Sequence, residues 1–178
     1  MTTETNKPSS SLHSVHTETF TQLLLHFGIS LAITTYQAGK LVLARAEGEL
    51  TNTHFRSFSK PMGMAVQANR LAIGDAHSIQ EFRNVPSVHN KINSEVPHSA
   101  IFIPRQQYTS GDIDIHEINW ANDELWFVNT RFSCLCTLDA NYSFVPRWRP
   151  PFISAYDLND CCHLNGLVLN AITHTITY

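Results

Sequence analysis

A short strand that turns after about three residues and resumes seven positions later recurs along this chain, and that recurrence limits what it can fold into. Aligning Met64, Ile118 and Leu167 superimposes three such stretches, which resume at Leu71, Leu125 and His174, so the units are offset by 54 and 49 residues. A period of about 40 to 50 residues with four short strands per unit is the sequence mark of β-propeller blades, since one small sheet cannot bury both faces and must stack on its neighbour. A β-sandwich also has short strands and frequent turns. The approximate period is what favours the propeller.

The second unit is the clearest, with strands expected at 112–120, 125–131, 133–139 and 142–148 filling one four-stranded blade in order. Upstream, ISLAITTY (29–36) and LVLARA (41–46) flank a Gln37-Ala38-Gly39-Lys40 turn and read as a hairpin; strands follow near 53–58, 62–66, 71–76 and 79–84. Residues 85–110, with three prolines around the apolar island IFI (101–103), read as an irregular excursion. Strands are expected again at 163–170 and 174–178. The one helix is expected over Thr17–Phe27, where Phe20, Leu23, Leu24 and Phe27 recur at three-to-four spacing and Gly28 stands where a left-handed C-terminal residue belongs. Residues 1–16 hold few large apolar groups to offset ordering entropy and read as a disordered tail.

The fold class is therefore all-β: a partial β-propeller of about three four-stranded blades, not closed, with one short N-terminal helix. The 178 residues fit one domain, 17–178, and a propeller needs about four to eight blades to close. Three units leave strand edges open, which soluble proteins normally cover. The expectation is an incomplete domain truncated at its C-terminus.

Composition narrows the partners. Charged residues are 15% of the chain, and 12 Lys and Arg stand against 15 Asp and Glu with no basic run, so nothing supplies the phosphate-neutralising stripe of a nucleic-acid binder. No apolar stretch approaches the roughly 18 residues that span a bilayer, and MTTETNKPSSSLHSV has no apolar core of a secretory signal. The expected compartment is the cytoplasm, with thiols rather than disulfides. Cys134 and Cys136 would share one face of a strand as packing groups; a zinc cluster of Cys134, Cys136, Cys162 and His163 is the alternative, though adjacent ligands such as Cys161-Cys162-His163 are unusual for one.

Six separated segments, ISLAITTYQAGKLVL, PMGMAV, YTSGDIDIHEI, ELWFVNTRFSCLCTLD, SFVPRWRPPFIS and CHLNGL, occur in an order that resembles an uncharacterised bacterial family of conserved hypothetical proteins, known only as a domain of unknown function. The resemblance runs from about Phe20 to the C-terminus. It implies a β-propeller-like fold and strand-rich sequence continuing past CHLNGL, so that this chain resembles the N-terminal part of a member. Cys161 stands where the resemblance implies Arg, and the Gly-containing turn implied after Val168 is missing. The family carries no established substrate, and no catalytic residue transfers from it.

The densest polar constellation is Gly111 to Glu117. As a strand it would project Asp112, Asp114 and His116 from one face, a set suited to ligand binding, a divalent metal or acid–base work, against a structural reading in which they satisfy turns. The first strand of each propeller blade lines the channel, so His116, Glu117, His163 and Asn165 are expected to converge there although nearly fifty residues separate the pairs. Tyr36, Gln37 and Lys40 on a hairpin tip, and Arg131, Arg147 and Arg149 near Phe132 and Trp148, are further groups able to hold a carboxylate or a sugar. No GxSxG, P-loop, GxGxxG or HExxH pattern occurs. The sequence therefore points to a module that binds a small polar ligand or a partner protein, with a metal-assisted hydrolase or lyase, or a non-functional fragment, as alternatives. No motif assigns a cofactor.

Overall fold

The computed structural model describes residues 14–92, 98–170 and 176–177. The described residues group into two units, 14–33 with 42–55, and 34–41 with those from 56 onward.

In the first unit, helix α1 (Glu18–Phe27) opens at Thr17 and ends at Gly28, whose φ of 61° lets its backbone N–H reach back to the last carbonyls. The contact line of α1 is narrower than the expected stripe. Thr21 and Leu24 are buried, whereas Leu23 and Phe27 are 51% and 63% exposed. Part of the helix is held by polarity instead, through a 2.6 Å hydrogen bond between the Thr21 and Thr51 hydroxyls. Strands β1 (Ser30–Thr35), β2 (Lys40–Glu47) and β3 (Leu50–Ser57) form a three-stranded sheet in chain order. The β1–β2 tip, residues 34–41, belongs to the second unit.

The second unit holds two four-stranded antiparallel meanders. One is β4 (Met64–Gln67), β5 (Arg70–Gly74), β6 (Ser78–Asn84) and β7 (Phe102–Thr109); the other is β8 (Ile118–Ala121), β9 (Glu124–Asn129), β10 (Cys134–Thr137) and β11 (Val145–Trp148). A two-stranded pair, β12 (Val168–Leu169) with β13 (Ile176–Thr177), follows. The strands expected to be equivalent start at Met64, Ile118 and Val168, and β5 and β9 resume at Arg70 and Glu124. First strands associate, β4 with β8 and β8 with β12. This is a partial, propeller-like all-β fold in which no sheet closes on itself. Among the described residues the third unit supplies two strands rather than four.

Glycine makes the junction between the meanders possible. A methyl group on Gly74 would lie 2.8 Å from Ile115 Cγ2 and 3.0 Å from Ile118 Cδ1, and one on Gly63 would lie 2.8 Å from Ile118 Cγ1. Ala65, Ala72, Ile79, Ile113, Ile115, Ile118, Trp120, Leu125, Phe127, Cys134 and Cys136 form the shared core. Glu81, 2% exposed, is neutralised by Arg70 at 3.2 Å and Arg83 at 2.9 Å, and the Arg70 guanidinium stacks 3.4 Å from the centroid of the Trp120 ring, an ionic tie from the first meander to the second.

Two expectations are corrected. The excursion at 85–110 contains a 3-10 turn, Pro86–Lys91, and then the eight-residue strand β7. β7 is an edge strand, largely exposed, so it lacks alternation, and it tolerates Pro104, opposite which the β6 register shifts between Glu81 and Phe82. The expected strand 112–120 is regular only from Ile118. Gly111 and Asp114 have φ of 75° and 57°, which no strand accommodates. Residues 111–117 instead connect the sheets, with main-chain bonds to both sides: Arg131 N donates to Ile113 O, Gly63 N to Ile115 O and Val128 N to Glu117 O.

No helix among the described residues is long and apolar enough to cross a membrane.

Candidate functional site

The connector 111–117 decides where the polar groups go. Ile113 and Ile115 are 3% and 4% exposed and anchor it in the core, so the alternate residues Asp112, Asp114 and His116 fall on the other side even without strand geometry, the Asp112 side chain most exposed and that of His116 least. The alternation survives because the anchored isoleucines, not a ladder, impose it.

His116 is the centre of one cluster. Its Nδ1 donates to Asn165 Oδ1 at 2.6 Å, which leaves Nε2 facing Asp114 Oδ2 at 3.5 Å. The His163 ring meets the His116 ring edge to face, with centroids 4.9 Å apart. His163 Nδ1 in turn donates to Asp160 Oδ2 at 2.6 Å. That hydrogen bond, reinforced by the charge of Asp160, holds the exposed His163 imidazole above its ordinary value of 6.5. The 160–165 segment is brought here by its backbone: Asp160 N donates to Arg131 O at 3.0 Å, and Leu164 O accepts from the Thr130 hydroxyl at 2.7 Å. Leu167 then packs on Val128 and Leu135.

Of the six candidate residues, four therefore meet: Asp114, His116, His163 and Asn165. Asp112 goes to a separate ion pair with Arg131 at 2.8 Å. Glu117 folds back on its own strand, its Oε1 accepting from Ile118 N at 3.1 Å. The hairpin and arginine groups separate similarly. Lys40 donates to the Ser57 hydroxyl, Arg147 pairs with Glu124, and Arg149 lies over the Tyr156 ring. Tyr36 and Arg131 alone among them reach the pocket described next.

Beside the cluster lies a small, partly open pocket lined by Tyr36, Lys60, Met62, Asp75, Ala76, Asp112, Asp114, Ile115 and Arg131. Lys60 lies 5.6 Å over the Tyr36 ring. Asp75, 9% exposed, accepts at Oδ1 from His77 N, Ser78 N and the Ser78 hydroxyl and at Oδ2 from Gln80 Nε2, all within 3.1 Å. Arg131 Nε is buried with no hydrogen-bond partner among the described residues. Lys60, Asp114, Asp160 and His163 all have φ between 46° and 57°, in the left-handed region that costs a non-glycine residue free energy and gathers at binding sites. Sequence reasoning missed Lys60, Asp75 and Asp160. For Lys60 and Asp160 the available signal was turn chemistry, Ser-Lys-Pro and Asn-Asp, which marks a turn without saying what it faces.

Cys134 and Cys136 do share one face of β10, fully buried with sulfurs 3.5 Å apart. Their mutual hydrogen bond, and then burial, push the Cys136 thiol far above the ordinary range, away from thiolate chemistry. Among the described residues no group of three or more His, Cys, Asp or Glu side chains is placed to hold a metal ion, so the cluster of Cys134, Cys136, Cys162 and His163 is not assembled.

A family model whose description reads domain of unknown function (DUF4915) matches residues 18–177. No curated protein and no solved structure matches the chain.

Proposed function

The chain belongs to the DUF4915 family, membership of which brings no activity with it, and we propose that it is a binding module whose pocket at Tyr36, Lys60, Asp114 and Arg131 takes a small polar ligand. The observation that carries the reading is that two lining residues, Lys60 and Asp114, sit in left-handed backbone while their side chains do little for the fold. The Lys60 ammonium lies over the Tyr36 ring, and Asp114 faces His116 at 3.5 Å and acts on His163 through charge. Backbone strain held at residues with few polar partners is a mark of a site kept for binding. A concave, partly charged surface favours a small molecule over a protein face, which would be broader and flatter. The His116, Asn165, His163 and Asp160 chain flanks the site, with His116 facing the Asp114 carboxylate. The cytoplasm belongs to the same proposal, supported by the four free thiols.

The test is a thermal-shift screen of the full chain with amino acids, sugars, small carboxylates and amines. A ligand at about 100 times its Kd should add roughly 2.7 kcal/mol, and the combined Lys60→Ala, Asp114→Gly variant should lose the response. A response that survives both substitutions contradicts the proposal.

A further inference from the structure

The charges around the pocket divide into those the fold consumes and those it leaves. Both oxygens of Asp75 are occupied by four donors, and Asp112 is neutralised by Arg131 at 2.8 Å. Two remain. The Lys60 ammonium has no carboxylate partner among the described residues, only the Tyr36 ring, and Asp114 meets His116 Nε2 at 3.5 Å through one of its oxygens and otherwise acts on His163 through charge alone. They are of opposite sign and share one pocket. A ligand of a single sign would pair with one and strip water from the other without compensation, which costs affinity. Met62, Ile115 and the Tyr36 ring add apolar groups to a mostly polar lining.

We infer that the pocket takes a small dipolar molecule of the amino-acid class, its carboxylate against Lys60 and its ammonium against Asp114; this rests on the binding reading above. The experiment is isothermal titration of the full chain with L-serine and L-glutamine, each compared with acetate and with ethanolamine, the fold of every variant being checked by circular dichroism. The amino acids are expected to bind at least tenfold more tightly than either single-charge probe. Lys60→Gln should remove their advantage over ethanolamine, and Asp114→Asn their advantage over acetate. Acetate or ethanolamine binding as tightly as the amino acids overturns the inference, and so does an absence of amino-acid binding. If the thermal-shift screen still gives a response that depends on Lys60 and Asp114, the dipolar class alone has failed. If that screen is silent as well, the binding reading has failed with it.

Discussion

Asp114 poses the sharpest question at the scale of a single residue. Its φ of 57° and its long contact to His116 mean that removing the side chain should relieve strain rather than break structure. Asp114→Gly is expected to leave the folding free energy within about 1 kcal/mol of the wild type, on the stabilising side if anywhere, while abolishing ligand response; urea denaturation checks the first half. A loss above about 2 kcal/mol would make Asp114 a structural residue. His163 gives a second prediction. Because Asp160 raises its folded value above the unfolded one, the contact contributes stability that is fully present below the ordinary value of 6.5 and is lost as pH rises through the raised value. An NMR titration should place the His163 midpoint above 6.5, and Asp160→Asn should bring it down. The convergence of His116 with Asn165 and with His163 was legible from the repeat, because equivalent positions of stacked units meet. Lys60 and Asp160 were not legible. A turn residue announces its backbone but not the side chain it will face thirty or fifty residues away.

At the scale of elements, the aligned repeat positions fall within a residue of the starts of β4, β5, β8 and β9, since each pairs a buried apolar run with a tight turn. It failed at β7 and at 112–117 for opposite reasons. β7 is a strand without alternation because it is an exposed edge, and 112–117 alternates without being a strand because two buried isoleucines anchor a connector. Hydrophobic period reports burial, and secondary structure only through it. The close approach of β8 to Gly63 and Gly74 supplies an element-level prediction. Gly74→Ala would drive a methyl group into Ile115 and Ile118 and is expected to cost about 1–3 kcal/mol. The three tryptophans, Trp120, Trp126 and Trp148, all lie in the second meander. Their fluorescence should nevertheless report a lowered urea midpoint, because the substituted glycine belongs to a core both meanders share. An unchanged tryptophan midpoint would show that the sheets unfold separately.

At the scale of the molecule, stacking of successive small sheets explains both the fold and the site. First strands that associate in series bring connectors together, and the 111–117 connector and the 160–165 segment then present polar groups beside a pocket that also receives the β1–β2 tip and Lys60. The His116, His163 and Asn165 cluster is thus a product of stacked units, while Tyr36 and Lys60 reach the pocket from outside the aligned stretches. The central claim is that this pocket is where a ligand binds. The most direct measurement is an amide chemical-shift map of the full chain titrated with the ligand that gives the largest thermal shift. The account predicts saturable changes centred on Tyr36, Lys60, Ala76, Ile115 and Arg131, absent in the Lys60→Ala, Asp114→Gly variant; saturable changes centred elsewhere, or unchanged by those substitutions, would contradict it.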